Sequence, residues 1–258
     1  MRKLAPLIAG LLLVTGPSAV AQEDEARSEQ FADLPFWGGQ WLLENNTTSI
    51  GGIGESVLAA RAGEEAAPVS RVLFGFAAPW NENGRARLAE ARSRSPGRKA
   101  EGWGFPLMMN SAAPIEIFIT PERVVMVNAY RDLRIIRTDE DGHPPEEDLW
   151  PTTWGDSVGH WEGQTLVVDT IMVRNPNDYF HGAPPLSDEA HYVERYHMDD
   201  EGRLVLEMVI EDPATLTEPW PVSLRFEQAV GYDRMFYDSY DGDRTGFDGQ
   251  YNTIEPSE

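Results

Sequence analysis

The sequence predicts a mainly β chain: an antiparallel meander that curls strongly or closes into an up-and-down barrel. Three observations carry this reading. About nine short segments of strand length and texture follow one another from Glu116 onward. Turn residues separate neighbours, among them Pro121-Glu122, Arg131-Asp132, Gly163 and the stretch from Asp199 to Gly202. A sheet of that many strands tends to close, because closure removes its unpaired edges. A two-sheet sandwich is the alternative arrangement.

The elements are read in chain order. Phe31 to Leu43 carries Phe36, Trp37 and Trp41 and is expected to pack on the main body. Asn45 to Gly54 is a polar, glycine-containing loop, and Ser70 to Phe76 has the composition of a short strand. Asn83 to Ser95, rich in alanine, leucine, arginine and glutamate, reads as one short helix stopped by Pro96-Gly97. The strands follow: Glu116 to Thr120, Val124 to Tyr130, Leu133 to Thr138, Ser157 to Glu162, Thr165 to Val173, His191 to Met198, Leu204 to Glu211, Val222 to Ala229 and Met235 to Tyr240. The expected architecture is a lipocalin-like barrel or curled sheet over 111–241. An irregular extension, 31–110, packs across it, and an acidic tail, 242–258, follows.

Arg2 and Lys3, the apolar run from Leu4 to Val14, and Ala19-Val20-Ala21 match a secretory signal peptide over 1–21, cut after Ala21. Residues 22–30 read as a disordered leader. The apolar run is too short to span a bilayer, and no later one is long enough. The expectation is a periplasmic or secreted protein with no membrane insertion once the signal is removed. Its formal charge of −22 repels nucleic acid and anionic lipid. With no cysteine, disulfides, thiol catalysis and cysteine metal sites are excluded. The only lysines are Lys3 and Lys99, so arginine supplies nearly all the positive charge.

Several motifs occur in order: Ile117 to Val124 (IFITPERV), Leu133 to Pro144 (LRIIRTDEDGHP), Leu149 to Thr170 (LWPTTWGDSVGHWEGQTLVVDT), Leu186 to Tyr196 (LSDEAHYVERY) and Ile210 to Trp220 (IEDPATLTEPW). Together they resemble a large family of exported bacterial β-rich proteins with a GDSVGHWEGxTLVVDT-type motif. The resemblance implies an exported β-rich domain and brings no assigned reaction. Two features depart from the family pattern. No cysteine stands near Trp103 to Pro106, and His181 precedes Gly182-Ala183-Pro184 instead of lying within that loop.

All five histidines, His143, His160, His181, His191 and His197, fall between positions 143 and 197, so the candidate chemistry is sought there. Strand alternation puts Trp154, Asp156 and His160 on one face, and Asp169 joins them only under one hairpin register. In HYVERYHM, His191, Val193, Arg195 and His197 share one face and Tyr192, Glu194 and Tyr196 the other. The candidate catalytic residues are His143, Asp156, His160, Asp169, His191 and Glu194. A histidine shuttles the proton and a carboxylate orients it or acts as base. Trp154, Tyr179, Tyr192, Arg195 and Trp220 are the candidate substrate-binding residues. The bland alternative makes Glu194 half of an interior ion pair with Arg134 or Arg225, and Asp169 a surface or structurally paired acid.

No cofactor or metal is expected. The chain has no His-Glu-x-x-His, no glycine-rich phosphate loop before a helix and no Gly-x-Ser-x-Gly elbow around Ser157. Asp241 to Gly249 lacks the spacing of a calcium-binding loop. The expected function is cofactor-independent acid–base chemistry of lyase, hydratase or isomerase type on a small apolar, aromatic or terpenoid molecule. The alternatives are a lipocalin-like carrier and an envelope structural or interaction module.

Overall fold

A computed structural model describes residues 27–44, 70, 73, 77–93, 103–110, 113–130, 132–139, 142–174 and 184–229. The chain divides into two units, Met1–Leu34 and Pro35–Glu258. In the first, residues 27–32 are helical; residues 22–26 of the expected leader lie outside the described residues. The Arg27 guanidinium sits over the Phe31 ring one helical turn on, at 5.6 Å, and this contact supports the turn.

The second unit is an all-β barrel. Nine strands lie around it in sequence order: β1 (Gln40–Leu43), β2 (Ile115–Ile119), β3 (Arg123–Asn128), β4 (Leu133–Arg137), β5 (Asp156–Glu162), β6 (Thr165–Ile171), β7 (His191–Met198), β8 (Leu204–Glu211) and β9 (Trp220–Gln228). The barrel closes where β9 pairs antiparallel with β1, at Trp41↔Gln228 and Leu43↔Phe226. The closing strand is therefore a segment that the sequence presents only as an aromatic stretch. The Met235 to Tyr240 strand lies outside the described residues. So do the signal peptide, the Asn45 to Gly54 loop, the Asp241 to Gly249 loop and the acidic tail. Of Ser70 to Phe76, only Ser70 and Leu73 are described, and Ser70 makes an isolated bridge to Val222.

One pairing departs from the meander. β4 and β5 are parallel, with Arg137 opposite Val158. The connection between them runs back along the barrel before β5 begins, and it carries His143 with it. The other eight pairings are antiparallel.

Alternation decides which side chains face inward. Leu166, Val168 and Thr170 of β6, Tyr192, Glu194 and Tyr196 of β7, and Leu206, Met208 and Ile210 of β8 are all buried. Val167, Asp169 and Ile171, and His191, Val193 and Arg195, face outward on the intervening positions. Each fully buried apolar side chain contributes about 1.5–3 kcal/mol relative to leaving it in water. Residues 103–110 add to the core, with Phe105, Leu107, Met108 and Met109 buried. Asp132 anchors that segment, accepting hydrogen bonds from the Trp103 and Gly104 amides, Asn128 Nδ2 and the Trp154 indole.

A helix, α1 (Glu82–Ser93), starts at Asn81, whose Oδ1 accepts from the Gly84 amide at 2.9 Å. Gly84 allows close approach: a Cβ there would stand 2.3 Å from the Thr215 carbonyl oxygen.

Candidate active site

The GDSVG run is built by two glycines with different tasks. Gly155 has φ +72°, and a Cβ on it would lie 2.6 Å from the Ile171 carbonyl oxygen. Gly159 faces the interior, and its missing side chain leaves room for Ile136 and Leu166. Between them Ser157 points inward and Asp156 is partly exposed, while Val158, on the same side of the strand as Asp156 by alternation, is buried. The hairpin register puts Val158 opposite Asp169 and Asp156 opposite Ile171. Asp156 and Asp169 therefore share the outer face, which is the condition the sequence left open.

His143 bridges them. Its Nδ1 is 2.6 Å from Asp156 Oδ1 and its Nε2 is 2.9 Å from Asp169 Oδ1. The second oxygen of Asp156 accepts from Arg137 Nη2, and the second oxygen of Asp169 lies 2.7 Å from His191 Nε2. His191 Nδ1 then faces Glu211 Oε2 at 3.7 Å. The result is a line of alternating partners: Arg137, Asp156, His143, Asp169, His191, Glu211. All four aspartate oxygens are engaged.

A proton count follows from the chemistry of the groups. Ionised carboxylates only accept hydrogen bonds, so each of the two contacts of His143 needs a proton. Neutral imidazole supplies one; the second is carried by the ring or by one of the two aspartates. A transferable proton is thus held within the line. For Asp156, burial pushes the carboxyl up, but the Arg137 and His143 hydrogen bonds and charges outweigh it and hold it below the ordinary carboxylate value.

Other candidates stand elsewhere. His160 shares the outer face but is two-thirds exposed, and it pairs only loosely with Glu162, at 3.5 Å. Arg195 donates to Glu162 at 2.8 Å in an exposed pair. Trp154 directs its indole to Asp132, and Trp220 is buried at the start of β9. Tyr179 lies outside the described residues.

Glu194 and Tyr192 point into the barrel, away from the histidines. Glu194 is fully buried and takes a two-pronged ion pair from Arg134, at 2.5 and 2.8 Å. Arg134 also donates to Thr170 Oγ1, Ser157 Oγ and the Tyr196 hydroxyl, while Tyr196 donates to Glu194 Oε2 at 2.5 Å. The Phe105 ring lies 4.0 Å from the guanidinium carbon and packs edge-on against Tyr192. Burial opposes the Arg134 charge, but the Glu194 carboxylate outweighs it, so the guanidinium holds its proton more tightly than usual. Burial and the Glu194 charge push the Tyr196 hydroxyl well up. This is the interior ion pair of the bland reading, and it binds the core together. Ser157, buried, is held in it by Arg134 and Thr170.

Sequence reasoning missed Arg137 and Glu211. Arg137 reaches Asp156 only because β4 and β5 run parallel, and Glu211 reaches His191 only through the β7–β8 register. No group of His, Asp and Glu suited to a metal ion occurs among the described residues. No protein-family model matches the chain, and a search of the curated proteins returns no match.

Proposed function

We propose that this chain is a cofactor-independent acid–base catalyst for a small, partly apolar molecule. The proposed site is the outer-face line of Asp156, His143, Asp169 and His191, not the barrel interior. One observation carries the reading: a single carboxylate, Asp169, holds two imidazoles, one on each oxygen. With Asp169 accepting from Nε2–H of His191, the lone pair of the neutral ring lies on Nδ1, at the more open end of the line. That nitrogen takes a proton from substrate carbon or oxygen. The imidazolium formed is steadied by Asp169 and Glu211, and His143 stores or returns a proton behind it. Lyase, hydratase and isomerase reactions all use such a step. Export to the periplasm or beyond, and membership of the β-rich family that the ordered motifs resemble, belong to the same proposal.

Deuterium uptake tests it without a known substrate. Cyclohexenone, isophorone and phenylacetone, incubated in D₂O with the full chain, report enolisable C–H exchange by proton NMR. Exchange above a buffer blank is expected for the native protein and is lost in His191→Ala, with the near-ultraviolet circular dichroism preserved. A native protein no faster than the blank on all three probes overturns the reading, as does unchanged exchange in His191→Ala.

A second reading, ligand carriage inside the barrel, is favoured by buried polar atoms without a partner among the described residues: Trp37 Nε1, Gln40 Oε1, Trp161 Nε1 and Trp220 Nε1. Mass spectrometry of natively purified protein tests it; a retained small molecule supports carriage, and a ligand-free spectrum counts against it.

A further inference from the structure

Outward positions of a soluble barrel are usually polar, yet those flanking the proposed site are apolar. On one side, cross-strand pairing sets Phe118, Val125 and Ile135 in a row over β2, β3 and β4. Phe118 is 51% and Ile135 44% exposed. Arg137 lies against Val158 in the parallel pair, so Ile135, two residues earlier, flanks Asp156 on the same outer face. On the other side, Asp169 is opposite Val193, which is opposite Val209, itself opposite Pro221. The acid–base line thus sits between two apolar rows, an arrangement that fits a ligand-binding surface.

The charges narrow the ligand further. The one guanidinium in the line, on Arg137, is committed to Asp156. Beside His191 an anion would meet the carboxylates of Asp169 and Glu211, both about half exposed, with no guanidinium of the line left to receive it.

Resting on the reading of this line as an acid–base site, we infer that its substrate is not an anion and has an apolar body and a single carbonyl or hydroxyl head. The body lies along Val193 and Val209, and the head faces His191. Val209 sets specificity; it is not a catalytic residue.

The test separates binding from catalysis. Nitrogen-15 correlation spectra of the full chain are titrated with isophorone and cyclohexanecarboxylate. Saturable shifts at the Val193 and Val209 amides are expected with isophorone, and binding at least tenfold weaker with cyclohexanecarboxylate. Equal or tighter binding of cyclohexanecarboxylate overturns the inference, as does an absence of isophorone shifts at these amides. Val209→Asn is expected to weaken isophorone at least fivefold. The near-isosteric Val209→Thr, with a smaller loss in the same direction, guards against misfolding. Unaltered isophorone affinity in both variants overturns the specificity role. His191→Ala is expected to lose exchange but still bind isophorone. If exchange is absent yet the isophorone shifts appear, the catalytic reading fails and the binding surface stands.

Discussion

His143 and His191 are joined through opposite oxygens of one carboxylate, Asp169, at 2.9 and 2.7 Å. They come from a connecting segment and from β7, and only the strand of Asp169 lies between them. Asp169→Asn removes one acceptor and places an amide donor in the line. If Asp169 orients His191, the exchange rate falls by about 10²-fold or more while the apolar probe still binds. Exchange kinetics and a titration on the same sample check this. An undiminished rate would show that Asp169 only packs.

The Arg134–Glu194 pair, fully buried, behaves differently when broken than when replaced. Glu194→Gln leaves the guanidinium without its counter-charge and costs about 3–5 kcal/mol. Replacing both residues with methionine is expected to recover much of that loss, since neither charge is then stranded. Urea unfolding midpoints of the single and double variants measure the difference. Neither variant is expected to alter the contacts of His143 or His191, which lie on the other face.

Two glycines of the central hairpin separate backbone strain from crowding. Gly163, at φ +62°, has open space around its missing side chain, so Gly163→Ala carries only the left-handed penalty, roughly 1–2 kcal/mol. Gly155→Ala adds a clash with the Ile171 carbonyl oxygen and Val173. A larger loss is therefore expected at Gly155, together with displacement of Asp156. Thermal melts of the two variants, compared side by side, test the order.

Acid stability carries a signature of Asp156. Its folded carboxyl lies below the ordinary value, so the unfolded chain binds more protons in the interval between the two. The stabilisation is fully present above the ordinary carboxylate value and is lost as pH falls through the lowered folded one. Arg137→Gln removes one cause of the lowering and is expected to flatten that limb of the stability curve. Denaturation midpoints between about pH 6 and pH 2 show it. Asp132 works with the opposite sign: burial holds it above the ordinary value, so its effect destabilises as pH rises through that interval.

Much of the barrel is legible in the residues. β7 and β8 begin and end where the sequence places them, because their flanking turns are marked by residues that cannot extend a strand well. The closing strand β1 is not legible: four residues, Gln40–Leu43, show too short a pattern to stand out from an aromatic loop. The parallel β4–β5 pairing is invisible for a related reason, since alternation tells which side chains share a face but not the direction of a neighbour.

The sequence by itself determined the β class, the positions of most strands, the hairpin at Gly163, and the concentration of histidines and acids in the middle of the chain. Those features are local, written in periods of two and in turn residues. Only the tertiary structure decided that Glu194 turns inward to Arg134 while His191, three residues earlier, turns outward to Asp169. It also placed His143 over two strands. Register and closure set those relations, and both depend on contacts between residues far apart in the chain, where a shift of one position would exchange the two faces.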